Sequence, residues 1–355
     1  MIASFRLRFA LATLMATCLA ASSTGRCSEK EKHAVTDAPM SRDEAAELLR
    51  DLILFGNDGR ATQAWLREKY ATPRRFAAIE AFPEITSFGV LYADVDTATV
   101  TSTLQKLPNL EVVQLFHCPR ITDDVMPFIV ALPKLTYVQI AGTGITDRGL
   151  PGLLERPAIT TLDVSDTAIT DAGLATVAKL PSLLSLEFSN DAITDAGLES
   201  LREHKTLAAV WASGTRITDK GMRHLATCPQ LARVLARETQ LTDAGIEAIA
   251  AAQNLKVLHA GGTFTRRSID ALAAGPKLHT LLLEGDVRLG DEDIEAIGKL
   301  RSVERLLLRG SRITPAGVGR LKALLPKTFL DVGPKEPVPP DEPDGVRDRS
   351  CGLSD

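Results

Sequence analysis

The residue types that could do chemistry are few in this sequence, and they are not grouped for catalysis. Six histidines, His33, His117, His204, His224, His259 and His279, show no HExxH spacing, and no two stand as a metal pair. No GxSxG elbow and no phosphate-cradling P-loop occurs. Asp166, Glu187 and Asp191 could be drawn together as paired carboxylates, but a surface of repeated polar residues produces such coincidences without catalysis. Asp123, Asp147, Asp171, Asp195, Asp219 and Asp243 recur as a series. A calcium ladder is one reading; negative charge at the start of a short helix in each unit is the simpler one. The sequence therefore predicts no enzyme, no bound metal and no cofactor. Recognition is the chemistry left. Its candidates are Trp211, Arg233, Leu235 and Arg237, because Trp and Arg dominate interface energetics, with His259, Glu187 and Asp163 in the same series.

These residues are positioned by a repeat. Ile169-Thr170-Asp171-Ala172-Gly173-Leu174 returns unchanged at 193–198, and variants stand at 145–150, 217–222, 241–246 and 313–318. The starts at 121, 145, 169, 193, 217 and 241 are each 24 residues apart. Self-similarity at one such period means a solenoid of stacked units, whose core grows one repeat at a time. Ten markers, Val95, Ile121, Ile145, Ile169, Ile193, Ile217, Leu241, Phe264, Leu289 and Ile313, set about ten units over 85–333, with the first and the seventh to ninth less regular.

Ahead of each marker runs an apolar pattern such as Leu110/Val113/Leu115, Ile159/Leu162/Val164 or Leu183/Leu186/Phe188. The last two apolar residues alternate across one position, which is strand periodicity with one face inward. One strand per unit, always in the same direction, makes the sheet parallel and the intervening segments its crossovers. After the marker, Thr170 stands where a helix N-cap belongs, Leu174, Val177 and Ala178 follow at helical spacing, and Leu180-Pro181 ends the helix. The residue between the paired apolar positions then points outward, giving the column Gln114, Gln139, Asp163, Glu187, Trp211, Leu235, His259, Leu282, Leu307. Two positions on, Phe116, Ala141, Ser165, Ser189, Ser213, Arg237, Gly261, Glu284 and Arg309 form a second column.

The pattern resembles the leucine-rich repeat family, and within it the cysteine-containing subclass of F-box-type proteins, here in an exported form. The resemblance rests on the ITDxGL-like segments over 85–333 and on Cys118 after its strand; Thr143, Thr167, Asp191, Thr215, Thr239, Thr263 and Ser311 fill that slot elsewhere. It implies an α/β horseshoe with a parallel concave sheet and short convex helices. It also implies non-catalytic recognition of a protein, or of a glycan, on the concave face. Two further roles stay open: a secreted F-box-like substrate receptor of a ubiquitin ligase, and a structural envelope or scaffold protein.

The flanks differ in composition. Arg6 and Arg8 precede the uncharged apolar run 9–20 and the small residues Ala20, Ala21 and Ser22, as in a cleaved export signal over 1–22, with lipidation at Cys18 as an alternative. A flexible linker is expected at 23–40 and a small helical cap at 41–84. In the cap, Ser41 and Glu44 form a capping box, a second helix carries Trp65, Leu66 and Tyr70, and a third covers 76–81. The tail 334–355, with five prolines and many acids, has the composition of a disordered segment. A net charge of −4 without a Lys/Arg block argues against nucleic acid, and no run reaches a membrane-spanning length. Five cysteines are too few to frame the fold; Cys27 and Cys351 could pair with each other or with a second chain, and Cys118 and Cys228 are too far apart to bridge.

Overall fold

The structure is a computed structural model that describes residues 40–333. The expected export signal, nearly all of the linker and the tail 334–355 lie outside the described residues, as do Cys18, Cys27, His33 and Cys351.

Thirteen strands form one sheet in strict chain order. They are β1 (Ile53–Phe55), β2 (Ala61–Arg67), β3 (Ser87–Leu91), β4 (Val112–Phe116), β5 (Tyr137–Gln139), β6 (Thr161–Asp163), β7 (Ser185–Glu187), β8 (Ala209–Trp211), β9 (Arg233–Leu241), β10 (Val257–Phe264), β11 (Thr280–Val287), β12 (Arg305–Arg309) and β13 (Phe329–Gly333). Only β1 and β2 pair antiparallel; every later pair is parallel. This is the α/β solenoid expected from the period, in the leucine-rich repeat form that the resemblance implied. The register carries the repeat directly: Thr161 faces Ser185, Ser185 faces Ala209 and Ala209 faces Arg233.

α1 (Arg42–Leu48) precedes the sheet, and helices fill the crossovers as α2 (Pro73–Ile79), α3 (Thr97–Lys106), α4 (Met126–Val130), α5 (Asp171–Val177), α6 (Asp195–Glu199), α7 (Asp219–Leu225), α8 (Asp243–Ile249), α9 (Arg266–Ala274), α10 (Ile294–Ile297) and α11 (Pro315–Leu324), except between β5 and β6, where 3-10 turns at Asp147–Gly149 and Pro151–Glu155 take their place. Helix neighbours need about 8–10 Å and strand neighbours about 4.8 Å, so the strand side of each stack is its inner, concave side. Between the layers the inward strand residues stack without solvent: Leu162, Leu186, Val210, Val234 and Leu258 are all fully buried. Each contributes about 1.5–3 kcal/mol relative to exposure.

The Thr of the ITDxGL segment caps its helix at Thr170, Thr194, Thr218 and Thr242, whereas Thr122 makes no side-chain cap bond. The following Asp does more than lend charge to the helix start. Asp147 accepts from the backbone N–H of Thr170 at 2.9 Å and from its hydroxyl at 2.6 Å, and Asp171, Asp195 and Asp219 hold Thr194, Thr218 and Thr242 in the same way. The aspartate series is a ladder that ties each unit to the next. It breaks once: Arg266 stands in the Asp position, and the next unit carries Gly290 in the Thr position and Asp293 in the Gly position. In the repeat slot shared with Cys118, the hydroxyls of Thr143, Thr167, Thr215 and Thr239 donate within their own unit to the Ile140, Val164, Ala212 and Ala236 carbonyls at 2.6–2.8 Å, while Asp191 and Thr239 also bond across units, to Thr167 and to the Gly261 carbonyl.

The cap departs from expectation in its middle. The Ser41–Glu44 capping box opens α1 as the spacing required, but Trp65 and Leu66 lie on strand β2, not on a helix. Asn57-Asp58-Gly59 is a hairpin turn, with Gly59 at φ +75°, and it folds β1 back on β2. Open ladder bonds along β3 then hold β2 in parallel, so the sheet begins one unit before residue 85. The third helix starts earlier than expected, because Pro73 occupies its first turn.

The strands also lengthen from three residues in β5–β8 to eight or nine in β9–β11, where the repeat is irregular. Glycine permits this: at Gly262 (φ +157°) an added Cβ would stand 2.0 Å from the Leu241 carbonyl oxygen.

Candidate functional site

The outward column runs in register from end to end. Trp65, Gly89, Gln114, Gln139, Asp163, Glu187, Trp211, Leu235, His259, Leu282, Leu307 and Asp331 are successive Cα partners. All seven candidate residues lie on this face: five in the column itself, with Arg233 one step before it and Arg237 one step after it on β9. They do not all have the same standing there.

On the N-terminal side the polar residues are bonded to one another. Gln114 donates to Gln139 at 2.8 Å, and Gln139 donates to Asp163 at 2.7 Å. Asp163 also accepts the Ser165 backbone N–H at 3.0 Å and is only 5% exposed. Burial raises its carboxyl above the ordinary range against the hydrogen bonds of Gln139 and Ser165, with Asp166 adding to the rise. Asp163 is thus an internal end of a ladder, not a projecting ligand contact. Burial likewise raises the Tyr137 phenol, helped by the charges of Asp163 and Glu187.

Beside it, Asp191 fills the slot after β7 and accepts from the Thr167 N–H at 2.7 Å. Its other carboxylate oxygen is buried with no hydrogen-bond partner. Burial pushes this carboxyl up to about 8, in spite of the bonds from Thr167 and with help from Asp166 and Asp163.

The centre is apolar and aromatic. Trp211 on β8 and Leu235 on β9 are Cα partners and both are half-buried, with the small residues Ala209 and Ser213 two positions either side of Trp211. Trp211, Glu187, Arg233 and Arg237 each make at least one side-chain or electrostatic interaction of their own. Arg237 reaches across β10 to Glu284, with Nε donating to one carboxylate oxygen at 2.8 Å and Nη2 to the other at 3.2 Å. That pair, two units apart, could not be anticipated from one column of residues. Burial lowers the Arg233 guanidinium below its usual range.

His259 stands between Leu235 and Leu282. Burial first, then the charges of Arg237, Arg233 and Arg305, push it down to about 4, with Glu284 acting the other way. It is neutral at physiological pH. Arg305 and Arg309 on β12 complete a basic C-terminal side, Arg309 bonding Asp331 at 2.9 Å and Arg305 lying 5.9 Å from the Phe329 ring centroid. Glu284 stood in the second outward column with nothing to set it apart there, and Arg305 and Tyr137, two positions before Leu307 and Gln139, belong to neither column read from the sequence. Trp65 was missed because it was placed on a helix; its indole lies across Gly89 at the first step of the same column.

Among the described residues no group of three or more His, Cys, Asp or Glu side chains could hold a metal ion, and no helix is long and apolar enough to cross a membrane. Cys118 and Cys228 are buried free thiols. A surface depression lined by Asp96, Arg120 and Phe128 and another lined by Glu47, Leu48 and Arg74 both lie off the sheet face.

Residues 158–178, one unit of the array, match the family described as Leucine Rich repeat. Among solved structures, an internalin of Listeria monocytogenes is similar over 81% of this chain and 93% of its own, at 20% identity and a TM-score of 0.38. A TDR receptor is similar over 74% of this chain and 45% of its own, at 12% identity and a TM-score of 0.46. No curated protein matches the sequence.

Proposed function

We propose that this chain is a non-catalytic recognition protein that holds a protein partner against the outward face of its sheet, centred on Trp211, Leu235 and Arg233. The observation that carries the reading is the registered Trp211–Leu235 pair, an apolar centre with Glu187 on the strand before it and Arg233 and Arg237 flanking Leu235 on β9. An aromatic anchor inside a polar rim is the anatomy of an interface hot spot. A protein outside the cytoplasm suits the export segment expected at 1–22, and a glycan would use the same Trp face. Catalysis has no nucleophile–base pair to support it.

A photo-crosslinking residue placed at Trp211, and in a second protein at the solvent-exposed helix position Arg223, tests the reading in the native extracellular or periplasmic fraction. A partner captured from position 211 and not from 223 supports it. Capture from 223 alone, or equally from both, rejects the sheet face as the contact.

A further inference from the structure

The N-terminal third of the face differs in chemistry from its centre. Across β2–β5 the strands hold a single charged residue, Arg67. Aromatic rings and planar amides take the place of charge, and two glycines make room for the rings. The six-membered ring of Trp65 fills the space of a Cβ on Gly89, with two ring atoms 2.1 Å from it. His117 does the same at Gly142, with Nδ1 at 2.5 Å. His117 in turn stacks on Tyr92, with ring centroids 5.2 Å apart and planes 12° off parallel, and Phe116 meets both rings nearly edge to face. Tyr92 is left 56% exposed at the carboxyl end of β3, where its backbone N–H donates to the Phe116 carbonyl at 2.8 Å.

The amides stand beside these rings. Trp65, Gly89 and Gln114 are successive Cα partners, so Gln114 lies two strands, about 10 Å, from Trp65. Phe116 is two residues further along β4, on the same side. Gln114 uses both hydrogens of its amide nitrogen, on Gln139 at 2.8 Å and on the Tyr137 hydroxyl at 3.4 Å, which leaves its carbonyl oxygen as an acceptor. Gln63 accepts the Trp65 indole N–H at 3.3 Å through its own oxygen, which leaves its amide nitrogen as a donor. A charged segment finds little counter-charge on such ground. An apolar peptide anchor needs a pocket, and the two depressions described above lie off the sheet face. Neutral donors and acceptors beside exposed rings suit a neutral ligand that is rich in hydroxyls and apolar on its flat sides. A pyranose with every substituent equatorial is such a ligand: its two faces carry only axial C–H bonds, which meet the negative face of an aromatic ring, and its hydroxyls spread around the rim. Joined β-1,4, these rings make a flat ribbon that can lie on an open strand row.

We infer that the outward face of β2–β4 binds a neutral β-1,4-linked oligosaccharide of equatorial pyranoses, with one sugar ring stacked on Trp65, another on Tyr92, and their hydroxyls bonded by Gln63 and Gln114. Trp65 on β2 is six strands, about 29 Å, from Trp211 on β8, so this subsite is separate from the proposed protein contact and does not depend on it.

The test is calorimetric titration of the full chain with three neutral hexasaccharides. They are cellohexaose, β-1,4-mannohexaose, whose 2-hydroxyl is axial, and maltohexaose, whose α-linkage coils the chain. Cellohexaose binds about tenfold or more tighter than either control, a difference of about 1.4 kcal/mol, and its affinity hardly changes with salt because no charge pair forms. Tyr92→Asn, a residue type that tolerates the φ of +52° at this position, weakens it about tenfold, and so does Gln114→Met. Arg223→Ala, on the exposed side of α7, leaves it unchanged, and urea unfolding shows that each variant is folded. Cellohexaose also shifts the tryptophan emission, and Trp65→Phe removes the shift. No binding of cellohexaose, equal binding of either control, or indifference to both Tyr92→Asn and Gln114→Met overturns the inference. An emission shift that survives Trp65→Phe places the sugar at Trp211 and overturns the site. If no sugar binds and a crosslinking residue at position 92 captures a protein, this end of the face is a protein contact and the inference falls, while the reading centred on Trp211 stands or falls on its own crosslink.

Discussion

Asp171 of one repeat grips Thr194 of the next by both carboxylate oxygens, at 2.8 Å to the backbone N–H and 2.6 Å to the hydroxyl. The same geometry accounts for the glycine of the motif. A Cβ at Gly197 would stand 2.4 Å from that Asp171 oxygen, and Gly173, Gly221 and Gly245 face Asp147, Asp195 and Asp219 at 2.2–2.6 Å. The Thr, Asp and Gly of ITDxGL are therefore one device spread over two units. Where Arg266 replaces the aspartate, the next unit has Gly290 and Asp293 in the Thr and Gly positions, and opposite Asp243 the Gly position is filled by Ser268, whose hydroxyl donates to the Asp243 carboxylate.

Gly197→Ala should destabilise the protein by about 1–3 kcal/mol, through overpacking against Asp171. Gly319→Ala, in α11 with nothing within 4 Å of the added Cβ, should be neutral or stabilise by up to about 1 kcal/mol. Adding Asp171→Ser to Gly197→Ala should recover part of the loss, because the two residues share one space. Urea unfolding of the single and double variants measures this. Strict additivity would mean that the two residues are not coupled.

Gly89→Ala should displace Trp65, since an added Cβ would lie 2.1 Å from two atoms of its ring. The chain has two tryptophans, so a Trp211→Phe background leaves Trp65 as the sole indole reporter. A shift in its emission and a loss of about 1–3 kcal/mol are expected. Unchanged emission would place the ring elsewhere.

Asp191 should make the protein less stable in mild alkali. Its carboxyl is raised to about 8 in the folded state. The unfolded chain releases that proton near its ordinary value of about 3.9, so the folded state holds more protons between the two and stability falls as pH rises through that window. From pH 6.5 to 8.5, Asp191→Asn should flatten the decline, because the amide carries no charge and still offers an oxygen to Thr167. An equally steep decline in the variant would assign it to another group.

His259 works in the opposite direction at lower pH. Its folded value of about 4 lies below the unfolded value of about 6.5, so the unfolded chain binds the proton first and stability falls as pH drops through that interval. Asp191 opposes this over the same range, so the comparison belongs in an Asp191→Asn background. There, His259→Leu should flatten the acid-side slope between pH 6.5 and 4.5. A slope that is the same with and without His259 would show that the ring is not desolvated among the arginines.

The period alone determined the repeat, the parallel sheet, the strand register and the outward column through Trp211, because stacking identical units leaves one direction for each strand and one face for each residue. The helix caps were also legible, since Thr170 bonds within its own helix and needs nothing distant. What needed the tertiary structure were the relations that cross units. Asp171 to Thr194 spans 23 residues and Arg237 to Glu284 spans 47, and each depends on how far one layer is offset from the next. Burial was equally hidden: Asp163 and Glu187 hold equivalent positions on successive strands, yet Asp163 is buried at the end of a glutamine ladder and Glu187 is half-exposed. The strand at Ala61–Arg67 was misread because a short apolar run suits helix and strand alike, and only the unpaired edge of β3 decides between them.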